Sequence, residues 1–122
     1  MKAMPVVVLL GAAVILGIFL GYQYLRRVRS RPVLIGVHLL LGAGGLEVLA
    51  VLLRGAPDGD TLAPGKLGKV AAGLVVLALF SGLLAPMLGR RSRETMNIAL
   101  ATHAAVALAG FTLVLVWILG SR

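Results

Sequence analysis

Four long apolar runs set the limits on what this chain can become. They cover about residues 5–25, 33–53, 67–88 and 96–119, and only short polar linkers separate them. A run of roughly 18 or more apolar residues is long enough to cross the hydrocarbon of a bilayer as a helix. Strands of a membrane barrel would alternate polar and apolar residues, and these runs do not. The spacing therefore predicts an all-α integral membrane protein, a single transmembrane domain over residues 1–122. Its four helices run up-down-up-down as a bundle. With 60% of its 122 residues hydrophobic, the chain leaves no length for a separate soluble domain, so its chemistry is expected in or at the bilayer. The N-terminal stretch is longer than the apolar core of a signal peptide and lacks a small-residue cleavage site, so it reads as a retained first helix.

The formal net charge is +8. In a soluble protein this would suggest nucleic acid, but here the cations gather at helix ends, and no basic-aromatic surface supports nucleic-acid binding. Arg26, Arg27, Arg29 and Arg31 occupy the first linker, and Arg90, Arg91 and Arg93 the third. Both linkers fall on one side of a four-span protein. Arginine-rich loops stay cytoplasmic, so loops 26–31 and 90–93 are expected inside a bacterial plasma membrane and both termini outside. The linker RGAPDGDTLAPGK reads as a turn-forming connector. Cysteine is absent, which excludes disulfides, thiolate metal sites and covalently attached haem.

The second half of the chain echoes the first. "RSR" precedes the second run at 29–31 and the fourth at 91–93, and each of those runs carries one histidine, His38 or His103. Aligned on the histidines, Gly45 matches Gly110, Val51 matches Val116 and Gly55 matches Gly120. For the odd-numbered helices the expected register pairs Val14, Leu16, Phe19 and Gly21 with Val75, Leu77, Phe80 and Gly82. Two repeated helical hairpins are the implied organisation.

His38 lies seven residues beyond Arg31 and His103 ten beyond Arg93, at depths of roughly 10 and 15 Å for a rise of 1.5 Å per residue. Helices two and four run in the same direction and stand on a diagonal of the bundle. With neighbouring axes 8–10 Å apart, that diagonal is about 11–14 Å, a span two imidazoles can bridge around one metal ion. On each histidine's face, the residues four and seven positions on are small: Gly42 and Gly45 after His38, Ala107 and Gly110 after His103. They form a slot for a flat ligand. Two histidines alone under-coordinate zinc or copper, whereas haem needs only two axial nitrogens from the protein. The residues thus point to one haem b, with His38 and His103 as axial ligands of its iron and Gly42, Gly45, Ala107 and Gly110 lining its site. A magnesium tetrapyrrole, which takes one histidine per metal, fits the pair less well.

On these residues the chain resembles the small membrane b-type cytochromes, cytochrome b561-like in the broad sense, in which histidines on helices of like direction clamp haem with glycine nearby. The resemblance spans most of the chain and rests on a repeated histidine with a glycine seven residues on. It implies electron transfer between a quinone or other donor and a partner redox protein, alone or within a larger membrane complex. One histidine pair implies one haem, and an electron-transfer subunit rather than a stand-alone enzyme. Two other classes compete. A cofactor-free accessory subunit would use its lipid-facing small residues and Glu47. A small four-helix multidrug-type transporter shares the length, but its working acid lies in the first helix, and here that helix has none.

Glu47 is nine residues past His38, about 180° round the helix and turned from the proposed haem; an intramembrane carboxylate is costly and points to a partner, proton or quinone site. Tyr22, Tyr24 and Trp117 read as headgroup anchors. The Arg clusters and Thr95, Asn97 and Thr102 are candidate partners for haem propionates or imidazoles. Pro86 is expected to kink or end helix three.

Overall fold

The computed structural model describes residues 4–53 and 65–120. It is a bundle of four helices, α1 Met4–Leu25, α2 Pro32–Leu53, α3 Gly65–Leu88 and α4 Arg93–Gly120. All four are long and apolar enough to cross a membrane. Their outer surface is apolar, with Leu25, Val33, Ile15 and Leu40 each more than 70% exposed, as expected where the solvent is lipid. The turn-forming linker falls outside the described residues.

The helix ends follow local chemistry. After α1 the chain makes a Schellman turn. The Val28 N–H donates to the Gln23 carbonyl (2.8 Å) and the Arg27 N–H to the Tyr24 carbonyl (3.0 Å). The left-handed residue of that turn is Arg27, at φ 58°, where glycine is the common choice. α4 begins at Arg93, three residues earlier than the apolar run, because Ser92 caps it: the Thr95 N–H donates to Ser92 Oγ (3.0 Å). Glu94 then sits in the first turn, where the helix dipole favours a negative charge. Pro86 does not end α3 at once; the helix runs two residues past it, to Leu88.

Each hairpin packs against itself, and α2–α3 and α1–α4 contacts close the ring. No α-carbon of α2 comes within 8 Å of one in α4 among the described residues, so the two histidine-bearing helices do stand on a diagonal. The closely packed core lies at the end away from the Arg-rich loops. It comprises Val6, Leu10, Leu49, Ala71, Val75, Val114, Trp117 and Ile118. Trp117 is 3% exposed and is therefore a core residue rather than a headgroup anchor. A Cβ on Gly68 would lie 2.8 Å from its indole, so the ring occupies the place that a side chain on α3 would need.

The two hairpins repeat at a constant separation of 65 residues. Val6 and Ala71, Leu10 and Val75, Ala13 and Ala78, and Leu49 and Val114 are buried pairs in that register. Gly45 and Gly110 are equivalent too. The register expected for the odd-numbered helices, Gly21 opposite Gly82, is shifted by four residues: Gly17 is the residue equivalent to Gly82. One offset fits both helices, while the turn falls earlier in the second hairpin, at 89–92 against 26–31 in the first, so the repeating unit is the pair of helices.

Candidate functional site

The two imidazoles meet inside the bundle. The ring centroids of His38 and His103 are 6.1 Å apart and the ring planes cross at 88°. Two metal–nitrogen bonds of about 2 Å, with each nitrogen about 1.1 Å from its ring centre, put trans imidazoles roughly 6.2 Å apart. The observed spacing matches that distance, and edge-to-face rings in direct contact reach it as well.

His103 is held in a defined state. Its Nδ1 lies 2.7 Å from the Ala78 carbonyl oxygen, which can only accept, so Nδ1 carries the proton and Nε2 keeps a lone pair free for a metal. Ser81 Oγ is 3.2 Å from the same nitrogen and donates to the same carbonyl at 3.0 Å. Around His38 the arrangement is looser. The backbone of Ala13, equivalent to Ala78, approaches the ring. The bond is not completed, however: Nδ1 is buried and has no hydrogen-bond partner. Leu16 stands where Ser81 stands in the other hairpin and offers no hydroxyl.

Gly17 and Gly82 seat the rings. A Cβ on Gly17 would lie 2.9 Å from Cε1 of His38, and one on Gly82 would lie 2.8 Å from Cε1 of His103. Real side-chain carbons do not approach so closely, so each imidazole uses the space left by a glycine on the other helix of its own hairpin. Sequence reasoning passed over both glycines. The available signal was their spacing, 21 residues before each histidine.

The four small residues expected to line a flat ligand divide. Gly42 has nothing within 4 Å of where its Cβ would be, so its face is open, and Ala107 is half-buried. Gly45 and Gly110 are committed elsewhere. A Cβ on Gly45 would lie 2.8 Å from Cγ of Leu10, and one on Gly110 would lie 3.1 Å from Cβ of Leu74. Both therefore let neighbouring helices approach closely and do not provide a slot. The Arg-rich half is the less buried one. Among the described residues of 14–41 and 79–106, Ala85 alone is buried, and both histidines are half-buried. The bundle is closed at one end and loosely packed around the imidazoles.

Several other candidates are occupied. Asn97 Oδ1 accepts from the Tyr24 hydroxyl at 2.6 Å, and the Arg93 guanidinium lies 5.6 Å from the Tyr24 ring centre. Tyr24 thus ties α1 to the start of α4. Tyr22 binds Arg26, at 3.3 Å through its hydroxyl and 5.8 Å over its ring. Thr95 belongs to the α4 cap. Thr102 and Glu47 are exposed. No group of three or more His, Asp or Glu side chains suited to a bare metal ion occurs among the described residues. Comparison with known protein families, curated proteins and solved structures finds no significant match to this chain.

Proposed function

We propose that this protein is a membrane b-type cytochrome that carries one haem b between His38 and His103 and passes single electrons between a quinone or other donor and a partner redox protein. The observation that carries this reading is the 6.1 Å separation of the two imidazole centroids, which suits axial ligands on opposite faces of one iron. The proton on Nδ1 of His103 and the loosely packed Arg-rich half also support it. When bound, haem supplies a one-electron couple that the side chains of this chain lack.

The chain's own residues do the rest. Ala78 and Ser81 orient His103 so that Nε2 is presented without competing hydrogen bonds. Gly17 and Gly82 let the imidazoles lie close against the backbone. The surrounding hydrocarbon and apolar side chains would keep the site dry, which would disfavour a change of charge and so tune the couple. With one histidine pair the chain would hold a single haem, which would supply one redox centre and would need a donor or acceptor nearby. The Arg-rich ends face the cytoplasm of a bacterial plasma membrane on this reading.

The test is the absorbance spectrum of protein purified from haem-sufficient cells. Wild type gives a Soret band and, on reduction, the sharp α and β bands of six-coordinate low-spin haem. His38→Ala and His103→Ala lose that signature. A colourless wild-type preparation rejects the proposal. The 88° ring crossing favours one competing reading, because edge-to-face rings at this distance attract each other without any metal. The protein would then be a cofactor-free subunit, and the double His→Ala variant would assemble as wild type does.

A further inference from the structure

A cavity of about 550 Å³ opens at the Arg-rich end of the first hairpin. Its wall includes Phe19 and Gln23 from α1, Arg29 and Arg31 from the turn, and Val33 and Leu34 from α2. Among the described residues, neither guanidinium has a hydrogen bond, ion pair or ring partner. Arg26 lies over Tyr22 and Arg93 over Tyr24, whereas the guanidinium groups of Arg27, Arg90 and Arg91 likewise have no partner among the described residues. The Ser30 hydroxyl donates to Gln23 Oε1 at 3.0 Å, which fixes the amide and leaves its N–H groups as donors. The polar part of the lining named here thus offers two cations and an amide donor and no carboxylate, while the remaining wall is apolar.

We infer that this cavity binds one anionic phospholipid, its phosphate on Arg29, Arg31 and the Gln23 amide, with an acyl chain along α1. Ile15, Phe19 and Gln23 are spaced four residues apart and share one stripe of the helix. Ile15 is 71% and Phe19 46% exposed, so the stripe offers an apolar track leading from the cavity toward the middle of the bilayer. The porphyrin is not the occupant. Phe19 and Gln23 lie about 200° and 240° round α1 from Gly17, and Gly17 is the residue against His38. The cavity therefore faces away from the imidazoles.

The repeat supplies an internal comparison. At a separation of 65, Gln23, Arg29 and Arg31 correspond to Leu88, Glu94 and Met96. The second hairpin has Arg90, Arg91 and Arg93 of its own, the last two again flanking a serine, but Leu88 stands in place of the Gln23 amide.

The test is native mass spectrometry of the haem-loaded protein released from nanodiscs of phosphatidylcholine with a minor share of phosphatidylglycerol. Wild type is expected to retain one phosphatidylglycerol. Arg29→Gln/Arg31→Gln lowers that retention about tenfold or more, because charge-assisted hydrogen bonds to phosphate are lost. The charge-matched Arg90→Gln/Arg91→Gln retains it. Gln23→Leu, which leaves every charge in place, lowers it about threefold to fivefold and serves if the double variant fails to insert. Equal loss in the two double variants overturns the site in favour of unspecific charge. Displacement of the lipid by millimolar inorganic phosphate shows a plain anion site and overturns the acyl track. Loss of haem absorbance with lipid retention unchanged would show that the arginines hold propionates, and overturns it too. Because the readout is bound lipid mass, its failure is distinct from failure of the cytochrome reading, which is read by absorbance.

Discussion

A methyl group added to Gly82 would lie 2.8 Å from Cε1 of His103 and 3.1 Å from its Nδ1. The ring cannot retreat without breaking its bond to the Ala78 carbonyl. Gly82→Ala is therefore expected to lower stability by about 1–3 kcal/mol, the usual effect of overpacking, and to weaken the six-coordinate haem spectrum. Gly17→Ala is expected to cost less, because no hydrogen bond holds Nδ1 of His38 and its ring can shift away from the added carbon. Gly21→Ala is the control, since nothing lies within 4 Å of the added carbon; it is neutral or stabilising by up to about 1 kcal/mol. Thermal melts in detergent, followed by circular dichroism, measure all three. Equal melting temperatures for Gly82→Ala and Gly21→Ala would contradict the packing described for the imidazole.

The two histidines are inequivalent before any ligand binds. His103 has a carbonyl acceptor and a hydroxyl beside Nδ1, and Nδ1 of His38 has no partner. In ¹⁵N spectra of haem-free protein with labelled histidine, His103 is expected to show a single tautomer protonated at Nδ1. His38 is expected to show a mixture of the two neutral tautomers. Ser81→Ala costs about 0.5–1.5 kcal/mol and leaves the His103 tautomer unchanged, because the Ala78 carbonyl remains. A His103 resonance protonated at Nε2 in wild type would refute the assignment.

Trp117 is the single tryptophan of the chain and is 3% exposed. Its fluorescence in haem-free protein is expected to be blue-shifted and poorly quenched by iodide or acrylamide. Trp117→Ala removes a core side chain and should cost about 3–5 kcal/mol. A red-shifted, readily quenched emission would return Trp117 to the membrane interface.

The absence of cysteine gives a clean background for topology. Arg91→Cys, on an exposed position, is expected to react with a membrane-impermeant maleimide only after cells are opened. Gly59→Cys, in the linker between α2 and α3, reacts in intact cells. The reverse pattern would invert the orientation drawn from the arginine clusters.

Much of the architecture could be read from the chain because a bilayer fixes helix length, and four apolar runs permit little else. The level placement of His38 and His103 followed from the rise per residue alone. The glycines that seat them did not, for a physical reason. Apolar helices are so alike that aligning Val14, Leu16 and Phe19 with their look-alikes settled on a register four residues off, which hid the equivalence of Gly17 and Gly82. Gly45 and Gly110 looked like slot residues because a missing side chain reads the same whether a ligand or Leu10 fills the space. Trp117 misled similarly: an indole near a helix end suits a headgroup layer, and its burial depends on Gly68, far away in sequence on α3.

The hairpins repeat as pairs of helices, so both halves enter the membrane from the same side and each brings one imidazole to the pair at the centre of the bundle. A pair of identical, separately made hairpins could build such a centre only with both sides alike, every substitution felt twice. Joining them in one chain releases that constraint. With a serine beside one ring and a leucine beside the other, the surroundings of one imidazole can change while those of its counterpart stay as they are.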